Sequence, residues 1–243
     1  MLVEFIPLII GAYLLGAVPS AYLIAKWRRG IDIRQYGSGN VGAANILAVV
    51  SKRWSIAVTI FDVGKGALMV WIAQLLGLNA AQQATVGIAA IIGHNWPVFL
   101  RFQGGRGIFT SLGVIAMLEP WLGLIALIFP YLFAPIRQVS LGVVMVLVII
   151  PLTSWFARKP LGIAEPLSIT TGIIVILLIV IVRRLTAPRR PISASVPTRE
   201  LIINRLLFDR DIRDRKLWIS QTRSQAIPPE QPPEQNEEQT STN

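Results

Sequence analysis

A glycine-rich segment, here called loop one, runs from Asp32 to Asn45 and reads DIRQYGSGNVGAAN. Glycine lets backbone N–H groups turn toward a bound anion, and neutral Ser and Asn side chains donate hydrogen bonds that suit a phosphate. A helix entry capped by Ser38 or Asn40 would explain one polar residue but not the whole set. We therefore predict that loop one binds phosphate. The residues predicted to bind are Gly37, Ser38, Gly39, Asn40, Gly42 and Asn45, and Arg34 adds positive charge.

A second short segment, loop two, covers residues 102–107 and reads FQGGRG. Gly104, Gly105 and Gly107 surround Arg106, whose guanidinium can grip a phosphate through two parallel N–H bonds. The glycines open onto a predicted helix N-terminus, which favours anions. The alternative is an arginine that snorkels at a membrane boundary. The spacing is not that of a Walker A loop, so we predict a phosphate cradle of another type.

Three ionisable residues lie in apolar surroundings. Asp62 and Lys65 stand three positions apart inside an apolar run, where charges are costly and are candidates for function by default. At this spacing the two charges can also simply neutralise each other. His94 is the single histidine, and a lone histidine is more often a packing residue than a base. All three are included as candidate substrate-binding residues.

The composition limits the chemistry of these loops. The chain has no cysteine and one histidine, so we predict no thiolate nucleophile, no metal site and no cofactor. The net charge of +10 suits basic residues on the cytoplasmic side of a membrane better than nucleic-acid binding. An enzyme of this composition is expected to work by positioning and charge stabilisation.

The elements that hold the loops are predicted to lie in a membrane. Of 243 residues, 53% are hydrophobic and 15% charged, whereas soluble domains carry about 25% charge. Each run of about 20 apolar residues is a candidate spanning helix. Glu119-Pro120 predicts a turn between two shorter runs, because proline disfavours a helical conformation before it. The predicted helical runs are 2–25, 54–78, 84–100, 108–118, 121–135, 141–156 and 167–182. We therefore predict an all-α polytopic membrane protein with about seven transmembrane helices.

Basic residues predict the orientation of these helices. Most of them fall on the side that holds both loops and Ser140, whereas the opposite side holds Arg158 and Lys159. By the positive-inside rule the first side is cytoplasmic. We expect the N-terminus outside, the C-terminus in the cytoplasm and the site on the cytoplasmic face of the inner membrane.

The composition changes after the predicted transmembrane domain, residues 1–182. Residues 183–226 are predicted to form a basic cytoplasmic tail, with helical spacing of leucines between Arg199 and Trp218. This stretch is either an amphipathic helix on an anionic leaflet or a solvated tail helix. Residues 227–243 are rich in Pro, Glu and Gln and are predicted to be disordered.

The motifs resemble those of the PlsY family, the bacterial membrane glycerol-3-phosphate acyltransferases that use acyl phosphate. The matching segments, in the family's order, are DIRQYGSGNVGAANIL, FDVGKGAL, IGHNWPVFLRFQGGRGIFTSLGV and RQVSLG. They cover most of residues 1–182. The resemblance implies transfer of an acyl group from acyl phosphate to the 1-hydroxyl of sn-glycerol 3-phosphate. The product would be lysophosphatidic acid, formed in the first step of phospholipid synthesis.

The resemblance also implies roles for individual residues. Ser38, Asn40 and Asn45 would line a first phosphate site. Arg106 and its glycines would cradle a second phosphate, and Ser140 would hydrogen-bond substrate. The candidate catalytic residues are Ser38, Asn45, Arg106 and Ser140.

The chain departs from the family pattern at several positions. Ala44 and Ala48 stand where the family has threonine and arginine, and Arg106 replaces a lysine. Arginine keeps the charge but not the compact geometry of an ammonium group. The stretch 183–190 lacks the histidine and asparagine that follow the family's last helix.

Three interpretations stay open at this point. The chain is an acyltransferase, a catalytically altered paralogue that binds a phosphorylated lipid or partner, or a small-molecule transporter. Against the transporter, the sequence has no paired, broken helices in corresponding halves. The expected partners of the acyltransferase are the lipid bilayer, acyl phosphate, glycerol 3-phosphate and the soluble enzyme that makes acyl phosphate.

Overall fold

The computed structural model describes residues 2–188, 193–194, 196–214 and 217. Regular structure within these residues is entirely helical, which confirms the all-α prediction. The α-helices are α1 (Leu2–Gly16), α2 (Ser20–Arg29), α3 (Ala43–Val49), α4 (Lys52–Leu75), α5 (Ala80–Asn95), α6 (Ile108–Leu118), α7 (Pro120–Ile128), α8 (Val139–Phe156), α9 (Arg158–Leu161), α10 (Pro166–Leu185) and α11 (Thr198–Phe208). Short 3-10 helices cover Ile33–Gln35, Val98–Leu100 and Phe129–Phe133. Trp218 and the predicted disordered stretch 227–243 lie outside the described residues.

The helices have the length and surface of a membrane protein. Four segments of the described chain are long and apolar enough to cross a bilayer: Glu4–Arg29, Lys52–Leu75, Val139–Phe156 and Pro166–Leu185. Shorter apolar helices cover Ile108–Leu118 and Pro120–Phe133. Large apolar side chains such as Ile60 and Phe156 are 68% and 80% exposed, as expected for contact with lipid rather than water. The prediction of a helical membrane protein is thereby confirmed.

The first apolar run differs from its prediction, because residues 17–19 interrupt the helix expected over 2–25. Pro19 has no N–H to donate and disfavours a helical conformation at Val18. The carbonyl of Val18 accepts instead from Lys65 Nζ on α4, 3.4 Å away. Non-helical backbone at this depth is tolerated because it is buried against protein and finds a polar partner there.

Caps and prolines set the other boundaries. α5 begins with a capping box between Asn79 and Gln82 and ends at Asn95, so the predicted run 84–100 is a shorter helix followed by a turn around Pro97. α6 begins and ends where the sequence predicts. Glu119 has extended backbone between α6 and α7, which confirms the predicted turn. The early end of α5 directs its last residues toward loop two.

Small residues bring the central helices into close contact. Gly16 of α1 lies against the backbone of Ala90 in α5, and Gly93 of α5 lies against the backbone of Tyr13. A Cβ at either glycine would overlap those backbone atoms. Close approach of this kind stabilises membrane helices, which gain no hydrophobic driving force from lipid. Similar contacts join α4 to α6, so α1, α4, α5 and α6 form the frame that carries both loops.

The helix of the basic tail folds back on the bundle. α11 packs against α8 and α10, and its residues Leu201, Asn204 and Arg205 are buried. Arg205 donates to the carbonyls of Leu185 and Ala187 at 3.0 and 2.6 Å. One face of α11 is therefore bound to the end of α10, beside loop two.

Candidate active site

The side chain of Asn45, in the first turn of α3, holds loop one together. Its Nδ2 donates to the carbonyls of Ile33, Tyr36 and Asn40 at 3.2, 3.0 and 3.1 Å. Its Oδ1 accepts from the backbone N–H of Ser38 at 2.9 Å. The residue is only 1% exposed, so Asn45 organises the loop from inside.

The predicted ligand-binding residues of loop one surround this asparagine. Gly37 and Gly39 have φ of 55° and 65°, which glycine adopts without strain. A Cβ on Gly37 would overlap the Asn45 amide. Ser38 and Asn40 are half-buried, and Ser38 Oγ accepts from the Asn40 N–H at 3.4 Å. Their side chains thus remain near the surface of loop one, while Gly42 is buried beside Asn40.

An ion pair at the start of loop one ties it to the turn that precedes loop two. Arg34 Nη2 lies 2.6 Å from Asp32 Oδ2, and Arg34 Nη1 donates to the Leu100 carbonyl at 3.3 Å. Hydrogen bonding from Arg34 holds the pKa of Asp32 below its ordinary value, against the opposing effect of burial. Arg34 therefore adds charge near the site with its guanidinium already partnered.

Loop two is held by a side chain from the end of α10. Arg183 is buried, and its Nε and Nη2 donate to the carbonyls of Gly105 and Gly104, each at 2.8 Å. The backbone N–H of Gly105 donates to the His94 carbonyl at 3.1 Å. Gly107 has φ of 74° and turns the chain into α6. The backbone of loop two is thereby fixed on both sides.

Arg106, the predicted phosphate ligand, is paired with an acid from beyond α11. Its Nη1 lies 2.5 Å from Asp209 Oδ2, and the two side chains are 17% and 19% exposed. Arg184 Nε faces Asp209 Oδ1 across 3.7 Å, and neither atom has a hydrogen-bond partner among the described residues. Three arginine side chains with one carboxylate therefore surround loop two, and their excess positive charge suits an anionic ligand. The three arginines are Arg106, Arg183 and Arg184.

A buried polar cluster lies beneath the two loops. Lys65 Nζ is 3.0 Å from Asp62 Oδ1, so the ion pair that the spacing allows is present. Ser20 Oγ donates to the same Asp62 oxygen at 3.0 Å, and Lys65 Nζ is 2.8 Å from His94 Nδ1. The side chains of Asp62 and Lys65 are 2% and 1% exposed. The structure therefore brings the three predicted ionisable residues together, with Ser20 added.

The imidazole of His94 marks the point where the two loops meet. A Cβ on Gly105 would overlap His94 Nε2 and would also press on the carbonyl of Val41 in loop one. A Cβ on Gly104 would overlap the His94 carbonyl and the ring of Pro97. These two glycines are thus required by packing, and they let loop two lie directly on His94.

Ser140 lies in the first turn of α8, half-buried and without a side-chain hydrogen bond among the described residues. No described contact joins it to either loop. Its neighbour Val139 and Ile108, which follows loop two, line the same apolar groove between α6, α7 and α8. The groove, called here the α6–α8 groove, is lined mainly by apolar side chains. Ser140 is therefore beside the groove rather than on the loops.

The sequence analysis did not predict several residues of the site. Asn95 is fully buried next to Gly107, and its side-chain N and O have no partner among the described residues. Arg183 and Arg184 have the pattern of a basic helix end, and Asp209 lies in the tail. The IGHN motif was the available signal for Asn95, since a buried amide beside a glycine loop needs partners. No local signal indicates Asp209, because its contact depends on how α11 folds back.

The fold and the site define a class: a helical membrane protein with an arginine- and glycine-lined site beside an apolar groove. The sequence profile of the family described as glycerol-3-phosphate acyltransferase matches residues 6–193. The match extends over most of the chain and includes both loops and the whole of α10. The chain belongs to the glycerol-3-phosphate acyltransferase family.

Individual relatives agree with this assignment. The chain is 48% identical over 226 residues to glycerol-3-phosphate acyltransferase 5 of Dehalococcoides mccartyi, covering 93% of this chain and 97% of the relative. It is similar to the crystal structure of the glycerol 3-phosphate form of PlsY (YgiH), an integral membrane glycerol 3-phosphate acyltransferase. That match has a TM-score of 0.71 at 32% identity and covers 89% of this chain and 98% of the other. The lysophosphatidic acid form of the same enzyme matches with a TM-score of 0.68 at 30% identity, with coverage of 89% and 98%.

Proposed function

We propose that this chain transfers an acyl group from acyl phosphate to the 1-hydroxyl of sn-glycerol 3-phosphate, giving lysophosphatidic acid in the first step of phospholipid synthesis. Membership in the glycerol-3-phosphate acyltransferase family supports the acceptor and the product. The observation that carries the proposal is the meeting of two glycine-rich loops beside an apolar groove.

Both substrates fit this arrangement chemically. Each carries a phosphate, and the chain offers one loop with neutral donors and one loop surrounded by arginines. The α6–α8 groove is lined by apolar side chains including Ile108, Leu112, Val143 and Leu147, which suits a fatty acyl chain. An acyl phosphate bound with its chain in the groove would have its phosphate beside loop two.

The reaction needs little from the protein beyond positioning. The acceptor hydroxyl oxygen attacks the acyl carbonyl carbon, and the bond from that carbon to the phosphate oxygen breaks. The hydroxyl proton passes to the departing phosphate, which leaves as inorganic phosphate. Phosphate is a good leaving group, so the site must hold two anions side by side and stabilise charge on the carbonyl oxygen. Proton transfer to the departing phosphate removes the need for a protein base.

We assign the roles of individual residues on this basis. Ser38 and Asn40 donate to one substrate phosphate, and Asn45 positions the loop that carries them. Arg106 binds the other phosphate within Gly104, Gly105 and Gly107. Ser140 contacts substrate from the first turn of α8, beside the mouth of the α6–α8 groove. These five side chains act together with the buried cluster of Asp62, Lys65 and His94.

The proposed site lies at the cytoplasmic face of the inner membrane, with the N-terminus outside. The clustering of basic residues around both loops supports this orientation. Acyl phosphate would be delivered there by the soluble enzyme that makes it. The basic tail is the proposed contact for that enzyme.

Purified protein in lipid vesicles provides the test. Supplied with acyl phosphate and labelled glycerol 3-phosphate, it is expected to release lysophosphatidic acid and inorganic phosphate in equal amounts. Acyl-CoA in place of acyl phosphate is expected to give no product. Folded protein that makes no lysophosphatidic acid would identify an altered paralogue. Uptake of labelled glycerol 3-phosphate into sealed vesicles without an acyl donor would identify a transporter.

A further inference from the structure

The ammonium group of Lys65 has a complete set of acceptors. An ammonium carries three hydrogens. Three acceptors lie around Nζ: Asp62 Oδ1 at 3.0 Å, the Val18 carbonyl at 3.4 Å and His94 Nδ1 at 2.8 Å. The Lys65 side chain is 1% exposed, so solvent does not compete for these hydrogens. The break in the first helix at Pro19 supplies both the Val18 carbonyl and Ser20 to this cluster.

This geometry fixes the hydrogen on the imidazole. Lys65 is paired with the buried carboxylate of Asp62 and donates toward His94, so Nδ1 must present a lone pair. An Nδ1–H would direct its hydrogen at the ammonium hydrogens. A doubly protonated ring would put a second positive charge beside Lys65, with one carboxylate shared between them. We therefore expect the ring hydrogen of neutral His94 on Nε2.

The Nε2 atom of His94 lies where loop one and loop two meet. It lies at the position that a Gly105 side chain would occupy, close to the carbonyl of Val41 in loop one. Nε2 makes no hydrogen bond to another described residue, although the His94 side chain is only 9% exposed. A small cleft adjoins the ring and is lined by Ser20, Val41 and Gly104.

We propose that Ser20, Asp62 and Lys65 form a buried relay that fixes His94 as the Nε2–H tautomer, so that the ring donates a neutral hydrogen bond to a substrate oxyanion between loop one and loop two. The inference rests on the proposed function for the identity of the ligand, a phosphate monoester. Ser20, Asp62 and Lys65 are positioning residues, and His94 is the group that touches substrate. A neutral donor held in place suits an anion without adding charge to the interior.

The single histidine makes the relay directly measurable. Protein labelled with ¹⁵N at histidine gives one pair of ring signals, since His94 is the only histidine. We expect Nδ1 to resonate as an unprotonated nitrogen and Nε2 as a protonated one in the ligand-free, full-length protein in vesicles. A protonated Nδ1 would overturn the proposal, whatever the activity of the chain.

Variants test whether Lys65 sets this state. Asp62→Asn combined with Lys65→Met removes the pair without leaving a buried charge unpaired, and a mixture of tautomers is expected. Lys52→Met, at the exposed start of the same helix, is the matched control and should leave the ring signals unchanged. Ring signals in the double variant identical to those of the parent would show that the relay does not fix the tautomer.

Ligand binding separates this inference from the proposed function. Addition of sn-glycerol 3-phosphate is expected to shift the Nε2 signal, whereas glycerol at the same concentration is not. A shift in a chain that makes no lysophosphatidic acid would retain the inference and refute the acyl transfer. If the chain is active but glycerol 3-phosphate does not shift the Nε2 signal, the inference is refuted and the proposed function stands.

Two conservative variants of His94 test the role of Nε2–H by steady-state kinetics. Glutamine places an amide N–H near the Nε2 position, whereas asparagine places it near Nδ1. We expect His94→Asn to lower kcat/KM about tenfold, the effect of losing one neutral hydrogen bond, and His94→Gln to stay within about threefold. Equal losses in both variants, with equal thermal stability, would overturn the role assigned to Nε2–H.

Discussion

Loop one and loop two are both glycine-rich, but they are held in different ways. Loop one is fixed by a neutral amide within its own segment, because Asn45 bonds to the backbone of residues 5 to 12 positions earlier. Loop two is fixed by charged groups from far along the chain. Arg183 reaches it across 78 positions, and Asp209 reaches Arg106 across 103.

These two kinds of support lead to different expectations for ligand binding. A locally hydrogen-bonded loop keeps its shape whether or not a ligand is present, and it presents neutral donors. Loop two depends on the docking of α10 and α11, and the arginines around it outnumber the one carboxylate, Asp209. Binding at loop one is therefore expected to depend on shape, and binding at loop two on charge.

The largest expected effect follows from removing the charge at the centre of loop two. Arg106→Gln should lower kcat/KM by about 100-fold, because two charge-assisted hydrogen bonds to a phosphate are lost. Arg106→Lys keeps the charge and should lose much less. Arg101→Gln, an exposed arginine just before loop two, serves as the control. Steady-state kinetics with acyl phosphate and glycerol 3-phosphate provide the measurement.

Asp209 complicates this comparison, since Arg106→Gln removes its hydrogen-bonded partner and leaves only Arg184 Nε, 3.7 Å away. The double variant Arg106→Gln with Asp209→Asn removes that imbalance and should be as inactive as the single variant. Full activity in either one would mean that Arg106 does not bind substrate.

The next prediction compares the side chains that hold the two loops in place, Asn45 in loop one and Arg183 beside loop two. Asn45→Ala should destabilise the protein by about 3 kcal/mol, because several buried backbone groups lose their hydrogen bonds. Amide hydrogen exchange should rise within loop one and stay unchanged in loop two. Arg183→Met is the matched variant. It should raise amide hydrogen exchange around Gly104 and Gly105 and leave exchange in loop one unchanged. Loosening of both loops by either variant would contradict the separation of their supports.

The contacts that hold loop one are easier to infer from the sequence than those that hold loop two, for the same reason. Asn45 lies in the same short segment as Ser38 and Asn40, so their proximity follows from the local chain. The residues that support loop two come from α10 and the tail, and no periodicity indicates that they converge. The helical class, α6 and the Glu119 turn were predictable because apolar length and proline act locally. The break at residues 17–19 has the same proline signal at Pro19, but it was missed because the apolar run continues through that residue.

A smaller effect is expected from the carboxylate that shares the arginine site. Asp209→Asn should lower KM for the phosphate that binds at loop two by about threefold, because removing one partly exposed negative charge strengthens anion binding by about 0.7 kcal/mol. Glu200→Gln, exposed on the first turn of α11, should change nothing. A rise in KM at unchanged thermal stability would mean instead that Asp209 holds Arg106 in its productive position.

The smallest effect concerns the ion pair that joins loop one to the turn before loop two. Arg34 lowers the pKa of Asp32 in the folded protein, so the pair contributes stability above the ordinary aspartate pKa of about 4. That contribution is lost as the pH falls through the lowered value. Asp32→Asn should cost about 0.5 kcal/mol at pH 7, because the pair is partly exposed. Thermal unfolding of parent and variant should converge in acid as Asp32 protonates, and Glu200→Gln should not reproduce this convergence. A stability difference that persists unchanged at pH 2 would mean that Asp32 acts through the shape of its cap on Ile33–Gln35 rather than through its charge.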